Sequence, residues 1–296
     1  MIKPEHQQKL RAFADRCYVI FHSLLPTIFL SWLMFHVARI RAPGFKNALI
    51  GAIVKLYKVD LSEAEFEQIK SYPDFGAFFT RALKPGARPI DPDPKALVSP
   101  VDGTVSAIGP IRNGTMIQAK GFEYSVSELL GGAKTAAFFQ KGSYCTIYLA
   151  PHNYHRIHMP ANGKLREWGY QPGRLFSVSV GAVNRIPRLF TRNERVFSVF
   201  ETDFGPMGLV MVGALFVGSM ETVWNGRVTP PHGHEAGAYS PMSPVVLMRG
   251  REMGRFNMGS TVILLMPPGM VTWRPQLATG TEVRMGLALG NLAKIR

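Results

Sequence analysis

The chain has 296 residues, of which 46% are hydrophobic, and it contains 29 Gly and 22 Pro. This composition is typical of a folded protein with many turns. Cys17 and Cys145 are its two cysteines, too few for a disulfide framework or a cysteine-rich metal site. The formal net charge of +14 at pH 7 indicates an anionic partner, either nucleic acid or a phospholipid surface.

The first apolar segment covers residues 17–38 and contains no Asp, Glu, Lys or Arg. It is long enough to span a bilayer. Two histidines and Pro26 interrupt it, however, and basic residues flank both ends, so the charges give no orientation. We favour peripheral or monotopic attachment at the cytoplasmic face of the cell membrane, and a spanning helix remains the alternative.

Residues 46–58 are predicted to form a basic amphipathic helix, a pattern typical of the membrane interface. The apolar face would hold Leu49, Ile53 and Leu56, and the cations are Lys46, Lys55 and Lys58. A further helix is predicted from a capping box at Ser62 and Glu65 to the Tyr72-Pro73 pair. Phe75, Phe78 and Phe79 behind it are expected to pack in a core.

Residues 84–100 contain five prolines and are predicted to form a connector. We therefore expect a helical membrane-associating region at 1–83 and a β-rich catalytic domain at 84–296. Short helices are predicted at 125–131 and 179–187. The expected fold class is α+β, with a barrel-sandwich-like β core. The predicted strands cover 97–109, 143–149, 162–170, 195–201, 207–217, 245–249, 261–266 and 281–288.

The Gly259-Ser260 pair precedes an apolar β-type segment, Val262 to Leu265. Glycine tolerates strained backbone angles, so its carbonyl carbon can be open to attack by the next serine hydroxyl. The ester from such an N-to-O acyl shift can eliminate the serine oxygen, and loss of ammonia then leaves a pyruvoyl group. That ketone can form a Schiff base with a substrate amine and act as an electron sink. A simple turn is the alternative interpretation.

A second group of polar residues includes His152, His155 and His158, which recur at a spacing of three. They can be metal ligands, acid-base catalysts or histidines with ordinary hydrogen bonds. No HExxH helix or cysteine pair accompanies them, which weighs against a metal site. Asp102 lies in an Asp-Gly turn, and together with one histidine and Ser260 it would supply an orienting group, a base and a nucleophile.

These residues carry a resemblance to the bacterial phosphatidylserine decarboxylases, which are self-processing, pyruvoyl-dependent enzymes of phospholipid biosynthesis. Met258-Gly259-Ser260-Thr261 is similar to their L-G-S-T cleavage motif, with Met in place of Leu. The likeness covers most of residues 50–270. It includes Pro100 to Val105, Tyr154 to Pro160, Glu221 to Trp224 and Glu252 to Phe256.

The resemblance implies a zymogen that cleaves between Gly259 and Ser260 into a β chain, 1–259, and an α chain, 260–296. Asp102, His158 and Ser260 would form the self-cleavage triad, and His155 would serve in decarboxylation. Ser260 would become the covalent pyruvoyl cofactor, with no metal required. The substrate would be phosphatidylserine in an anionic membrane and the products phosphatidylethanolamine and CO2. The two chains would form a heterodimer, and a dimer of these heterodimers remains open.

Other functions remain possible from the residues alone. A metal-dependent lipid hydrolase would use the block of His152, His155 and His158. Turns resembling those of lipoyl or biotinyl carrier domains lack the required lysine, so we take them as an indication of fold only. A nucleic-acid binder is not favoured, because the aromatic residues do not alternate with basic ones. His152, His232 and His234 receive no role.

Overall fold

The computed structural model describes residues 15–216, 219–230, 235–257 and 260–295. Four residues considered above, Met258, Gly259, His232 and His234, lie outside these ranges. Ser260, on the C-terminal side of the predicted cleavage point, lies within them.

The chain begins with two helices, α1 (Asp15–Leu24) and α2 (Thr27–Val37), which meet at an angle of 63°. Pro26 stands at the break, where its ring removes a backbone donor. Among the described residues no single helix is long and apolar enough to cross a bilayer, and these two reach that length and composition only as a bent pair. Their large exposed apolar side chains are Ile20, Phe21, Leu24, Ile28, Phe29, Trp32 and Leu33.

The predicted basic helix is confirmed as α3 (Pro43–Tyr57), which ends where Lys58 adopts a left-handed conformation with φ 52°. Its predicted faces are partly wrong. Lys46 is buried and donates to the Asn47 side chain and the Lys70 carbonyl, whereas Leu56 is exposed. Packing against the following residues, which the helical pattern does not contain, decides which side of α3 is covered.

The helix predicted from Ser62 is wrong. Within residues 61–74 the chain forms turns and one 3-10 helix, Ile69–Ser71. The Asp60 carboxylate accepts the Ser62 N–H, and Ala64 forms a β-bridge with Leu83. A short helix, α4 (Phe75–Phe79), follows, and its three phenylalanines are buried as predicted.

The rest of the chain is built mainly of strands, and the predicted α+β class is confirmed. The strands are β1 (Ala96–Val98), β2 (Gly103–Pro110), β3 (Thr115–Ala119), β4 (Phe122–Ser125), β5 (Ser143–Leu149), β6 (Arg156–His158), β7 (Gly163–Gln171), β8 (Arg195–Thr202), β9 (Gly205–Val212), β10 (Met220–Thr222), β11 (Gly226–Thr229), β12 (Gly237–Tyr239), β13 (Val246–Leu247), β14 (Glu252–Phe256), β15 (Ser260–Met266), β16 (Val271–Trp273), β17 (Glu282–Val283) and β18 (Ala288–Leu292). The short helices are α5 (Val126–Leu129), α6 (Val180–Val183) and α7 (Leu189–Arg192).

Most of the strand predictions are confirmed in position, and four are too long. The strand predicted at 207–217 ends at Val212, and within 245–249 only Val246–Leu247 forms a strand. The segment predicted as one strand at 97–109 is β1 and β2, separated by a turn that contains Asp102. The segment predicted at 281–288 contains only β17 and the first residue of β18, and Gly286 bends the chain between them with φ 90°. Apolar content alone did not reveal these turns.

The large sheet runs in the order β12-β7-β8-β9-β15-β5-β2-β17. β15 lies inside it, antiparallel to both β9 and β5, and all seven of its residues are buried. In a smaller sheet, β6 pairs with β14. Because β14 is followed closely by β15, this second sheet brings the histidine block beside the chain that leads to Ser260.

Candidate active site

Ser260 is the first residue of β15 and pairs with Leu149 of β5. Its side chain is fully buried, and its Oγ has no hydrogen-bond partner among the described residues. A buried hydroxyl without a partner costs about 1–3 kcal/mol, so such a group calls for an explanation. A reactive serine supplies one.

His155 and His158 lie opposite different ends of β14, the strand that precedes Ser260 in the chain. The carbonyl of His155 accepts the Phe256 N–H at 3.1 Å, whereas His158 is paired with Glu252 at the far end of β14. His155 is thus the histidine whose backbone is opposite the Ser260 end of β14.

His155 is held in one tautomer. Its Nδ1 is 2.8 Å from the Asn153 carbonyl oxygen, which can only accept, so Nδ1 carries the proton and Nε2 has a free lone pair. Nε2 is buried and has no partner in the described chain, and the ring packs on Phe79 with centroids 4.1 Å apart. Burial, and then the charge of Arg81, lower the pKa of His155 to about 3. His155 is therefore a neutral imidazole that can accept a proton at Nε2.

His158 has partners at both nitrogens. Nδ1 donates to the Gly250 carbonyl at 2.8 Å, and Nε2 accepts from the Tyr154 hydroxyl at 2.9 Å. Burial lowers the pKa of His158, while the Gly250 hydrogen bond and the charges of Glu252 and Asp102 oppose that shift. His158 is also neutral near pH 7, but its Nε2 becomes available only when the Tyr154 hydroxyl moves away.

Asp102 is buried in the turn before β2 and forms an ion pair with Arg88. The two side chains form a salt bridge of 2.5 Å, and the Met285 N–H donates to the same carboxylate at 2.8 Å. The His158 N–H donates to the Pro100 carbonyl, so the turn and β6 are neighbours. Within the described ranges, however, Nδ1 of His158 is bonded to Gly250 and not to Asp102.

The third histidine of the block, His152, is exposed. Among the described residues, no three His, Cys, Asp or Glu side chains lie close enough together to hold a metal ion. The three histidines therefore do not converge into a metal-binding cluster there. His155 and His158 instead hold separate hydrogen bonds to backbone carbonyls.

The family model Phosphatidylserine decarboxylase matches residues 75–291, and a model described as PSD matches residues 18–58. The chain belongs to the phosphatidylserine decarboxylase family. A protein of Pseudomonas fluorescens named phosphatidylserine decarboxylase proenzyme is 51% identical over 93% of this chain and 97% of its own length. Proteins with the same name from Nitrosococcus oceani and Bordetella avium are each 49% identical, over 97% and 93% of this chain and 94% of their own lengths.

Two arginines and a tyrosine of this decarboxylase were missed by the sequence interpretation. Arg88 holds Asp102, Arg81 lies beside His155, and Tyr154 is bonded to His158. Arg88 lies inside the segment predicted as a connector, where cations are usually solvated. Its position fourteen residues before Asp102 gives no sign of the contact, because that contact depends on how the two segments fold against each other.

The decarboxylase has two cavities next to the histidines. The apolar cleft, of about 590 Å³, lies between the N-terminal helices and the main sheet. It is lined by Met34, Ile53, Tyr57, Phe75, Phe79, Tyr148, Leu149, Pro151, Ser177, Val178, Ser179, Ala214, Leu215 and Phe216. The polar pocket, of about 270 Å³, is lined by Lys58, Asp60, Glu63, Arg81, Leu83, Arg88, Asp102, Gly103, Thr104, His152, Asn153, Tyr154, Glu282, Val283 and Arg284.

The cleft reaches two residues that bear on the site. Its lining includes Leu149, the partner of Ser260 in the sheet, and Phe79, on which the His155 ring packs. An apolar ligand in the cleft would therefore lie close to the walls that hold Ser260 and His155.

Proposed function

We propose that this protein converts phosphatidylserine to phosphatidylethanolamine and CO2 with a pyruvoyl group formed from Ser260. The observation that carries the proposal is the buried Oγ of Ser260, which lacks a partner among the described residues at the start of a core strand. The unpartnered Nε2 of His155 adds a second reactive atom in the same region. Family membership supports the substrate, and the word proenzyme in the relatives' names supports processing.

Self-cleavage begins when Ser260 Oγ attacks the carbonyl carbon of residue 259. His158 accepts the hydroxyl proton at Nε2, once Tyr154 has released that atom, and passes it to the departing amide nitrogen. His158, neutral again after that transfer, then takes the α-proton of residue 260 as the Cβ–O bond of the ester breaks, which leaves dehydroalanine and frees the carboxylate of residue 259. Water replaces nitrogen in the dehydroalanine that remains, and ammonia leaves. Asp102 acts on His158 through its charge, which favours the protonated imidazole in this step.

The two products of cleavage remain associated as a heterodimer of 1–259 and 260–296. β15 lies in the second chain, but both of its neighbours in the sheet, β5 and β9, lie in the first. Separating the chains would break the hydrogen bonds along both edges of β15 and expose its buried apolar residues.

The pyruvoyl group would supply a carbonyl that captures the substrate amine and accepts electrons as CO2 leaves. The unpartnered Ser260 Oγ and the apolar wall around it fit such a group. His155 takes a proton at Nε2 from the substrate ammonium group and returns a proton from the same atom to the α-carbon after decarboxylation. Its low pKa makes the neutral ring a weak base for the first transfer and the protonated ring a strong acid for the second.

The helix pair α1 and α2 supports attachment to the cytoplasmic face of an anionic membrane. Its exposed apolar side chains form the surface that would enter the lipid. Cations border that surface. Arg174 donates to the Ser23 and Leu25 carbonyls at the break, and Arg185 pairs with Asp15 of α1. Burial, and then the charges of Arg174 and Arg188, lower the pKa of Arg192, so Arg192 lies near both of these cations.

A double substitution of Phe21→Ser and Phe29→Ser should weaken binding to phosphatidylserine-containing vesicles. Each exposed phenylalanine that enters the lipid contributes about 1.5–3 kcal/mol, so we expect at least a roughly tenfold loss of affinity. Vesicle co-sedimentation of the purified protein measures it. The matched control is Val223→Ser with Val246→Ser, two exposed apolar residues of the β domain. Equal loss in both double variants would argue against the helix pair as the membrane contact.

The direct test of the proposed function is to incubate the purified protein with micelles of phosphatidylserine labelled at the serine carboxylate. We expect labelled CO2 and phosphatidylethanolamine, and a ketone that hydrazine labels on the fragment beginning at residue 260. Release of fatty acid or headgroup, blocked by a chelator, would instead favour the metal-dependent hydrolase. Catalysis by a protein that carries no hydrazine-reactive fragment would contradict the pyruvoyl proposal.

A further inference from the structure

The polar pocket contains two kinds of cation. Arg88 is paired with Asp102 and Glu63, and Arg284 is paired with Glu63, so these charges are matched within one network. Arg81 and Lys58 differ, because neither forms an ion pair with a carboxylate of the described residues. They are the cations of the pocket that can meet an anionic ligand.

Arg81 is only 5% exposed, yet much of its guanidinium is unused. Nη2 donates to the His152 carbonyl at 3.0 Å, while Nε and Nη1 are buried without a partner among the described residues. Burial lowers the pKa of Arg81, yet a guanidinium starts from so high a value that it stays charged. A buried cation with free N–H groups is costly unless a ligand satisfies them. Paired guanidinium N–H groups match the oxygens of phosphate or carboxylate.

Besides the paired Glu63 and Asp102, two further carboxylates line the pocket, those of Asp60 and Glu282. Both residues are exposed, so water and salt screen their charges. The charge of Arg81 lies inside the protein and is screened far less. An anion that reaches Arg81 is therefore attracted more strongly than the two exposed carboxylates repel it.

The polar pocket adjoins the apolar cleft. Tyr57 lines the cleft and Lys58 the pocket; Phe79 lines the cleft and Arg81 the pocket; Pro151 lines the cleft and His152 the pocket. Three chain segments thus form a common wall, apolar on one side and charged on the other. This arrangement matches a molecule that has a hydrocarbon part next to an anionic group.

The reacting group would lie close to this wall. The Asn153 carbonyl accepts from Nδ1 of His155 and, at the longer distance of 3.5 Å, from Nη2 of Arg81. Only two atoms separate the phosphorus of phosphatidylserine from the α-carbon on which His155 would act. A phosphate site beside Arg81 therefore lies within the reach that the substrate requires.

We propose that Arg81, assisted by Lys58, binds the phosphodiester of the phospholipid substrate, while the adjoining apolar cleft holds the start of an acyl chain. This inference rests on the proposed function for the identity of the lipid. It adds a residue that positions the substrate by its phosphate, a role that the sequence assigned to no residue.

The test measures binding without turnover. The Ser260→Ala chain cannot form the pyruvoyl group, so titration calorimetry with dihexanoylphosphatidylserine, below its micelle concentration, reports binding alone. Arg81→Lys in this background keeps the charge and one donor for the His152 carbonyl but removes the unpartnered N–H groups. We expect the dissociation constant to rise at least about tenfold. The control Arg166→Lys makes the same exchange at an exposed pair with Glu201 and should leave it unchanged.

Inorganic phosphate distinguishes a headgroup site from a site for free anion. It should compete weakly with the lipid in the Ser260→Ala chain and lose this effect in Arg81→Lys. Unchanged lipid affinity in Arg81→Lys would overturn the proposal, as would phosphate that binds tightly and is not displaced by the lipid.

If Arg81→Lys lacks a cooperative thermal transition, the Lys58→Gln variant decides the question. Weaker lipid binding by Lys58→Gln supports the phosphate site, and unchanged lipid binding without phosphate competition rejects it. Activity retained by Ser260→Ala would contradict the proposed function without touching this binding result.

Discussion

Replacing Ser260 by alanine is expected to leave one uncleaved chain of 32.8 kDa with no decarboxylase activity. Alanine lacks the oxygen that attacks the preceding carbonyl, so neither the ester nor the ketone can form. The loss should be complete, because the proposed decarboxylation requires the ketone that is formed from Ser260. Intact mass spectrometry and gel electrophoresis measure cleavage, and CO2 release measures activity.

The fold should survive this substitution. The Ser260 hydroxyl has no partner among the described residues, so removing it breaks no hydrogen bond seen there. A matched control is Ser198→Ala on β8, which removes another buried strand hydroxyl, one that donates to the Leu209 carbonyl. That variant should still cleave and decarboxylate. A processed, active Ser260→Ala protein would disprove the mechanism.

Replacing His155 and His158 separately by glutamine is expected to divide the two reactions. His158→Gln should slow self-cleavage by roughly a hundredfold or more, because the base that accepts the Ser260 proton is lost. His155→Gln should cleave but lose decarboxylation by a similar factor, since no group at that position would then exchange a proton with the α-carbon. Time courses of cleavage and single-turnover release of CO2 separate the two effects.

The pH dependence of cleavage gives a further readout of His158. Burial lowers the pKa of His158 below 6.5, and only the neutral ring can accept the serine proton. The cleavage rate should therefore change little between pH 7 and pH 8 and fall at lower pH, as the ring becomes protonated. His152→Gln, a change in the exposed histidine of the same block, should alter the cleavage rate by no more than a few fold. Failure of His155→Gln to cleave, with His158→Gln unaffected, would reverse the two assignments.

The candidate residues were found from the sequence because the chemistry leaves local patterns. A Gly-Ser pair before an apolar strand, three histidines in seven residues and an Asp-Gly turn are all short-range signals, and a family resemblance joined them. Such short-range signals do not predict contacts between side chains that are distant in the sequence. Asp102 was expected to orient His158, but the structure shows it bonded to Arg88 and Met285, with Gly250 holding His158. Nothing in the spacing of these residues indicates that Asp102 and His158 have these other partners.

Sequence periodicity and composition by themselves determined the α+β class, the N-terminal apolar helices and the buried strand after Ser260, since these depend on neighbouring residues. Only the tertiary structure decided the tautomer of His155, the unmatched charge of Arg81 and the wall shared by the two cavities. These features require the segments around residues 57, 80 and 152 to meet, and burial among them changes the cost of a charge or a free N–H group. That cost comes from desolvation and packing in three dimensions, which a linear pattern of residues does not contain.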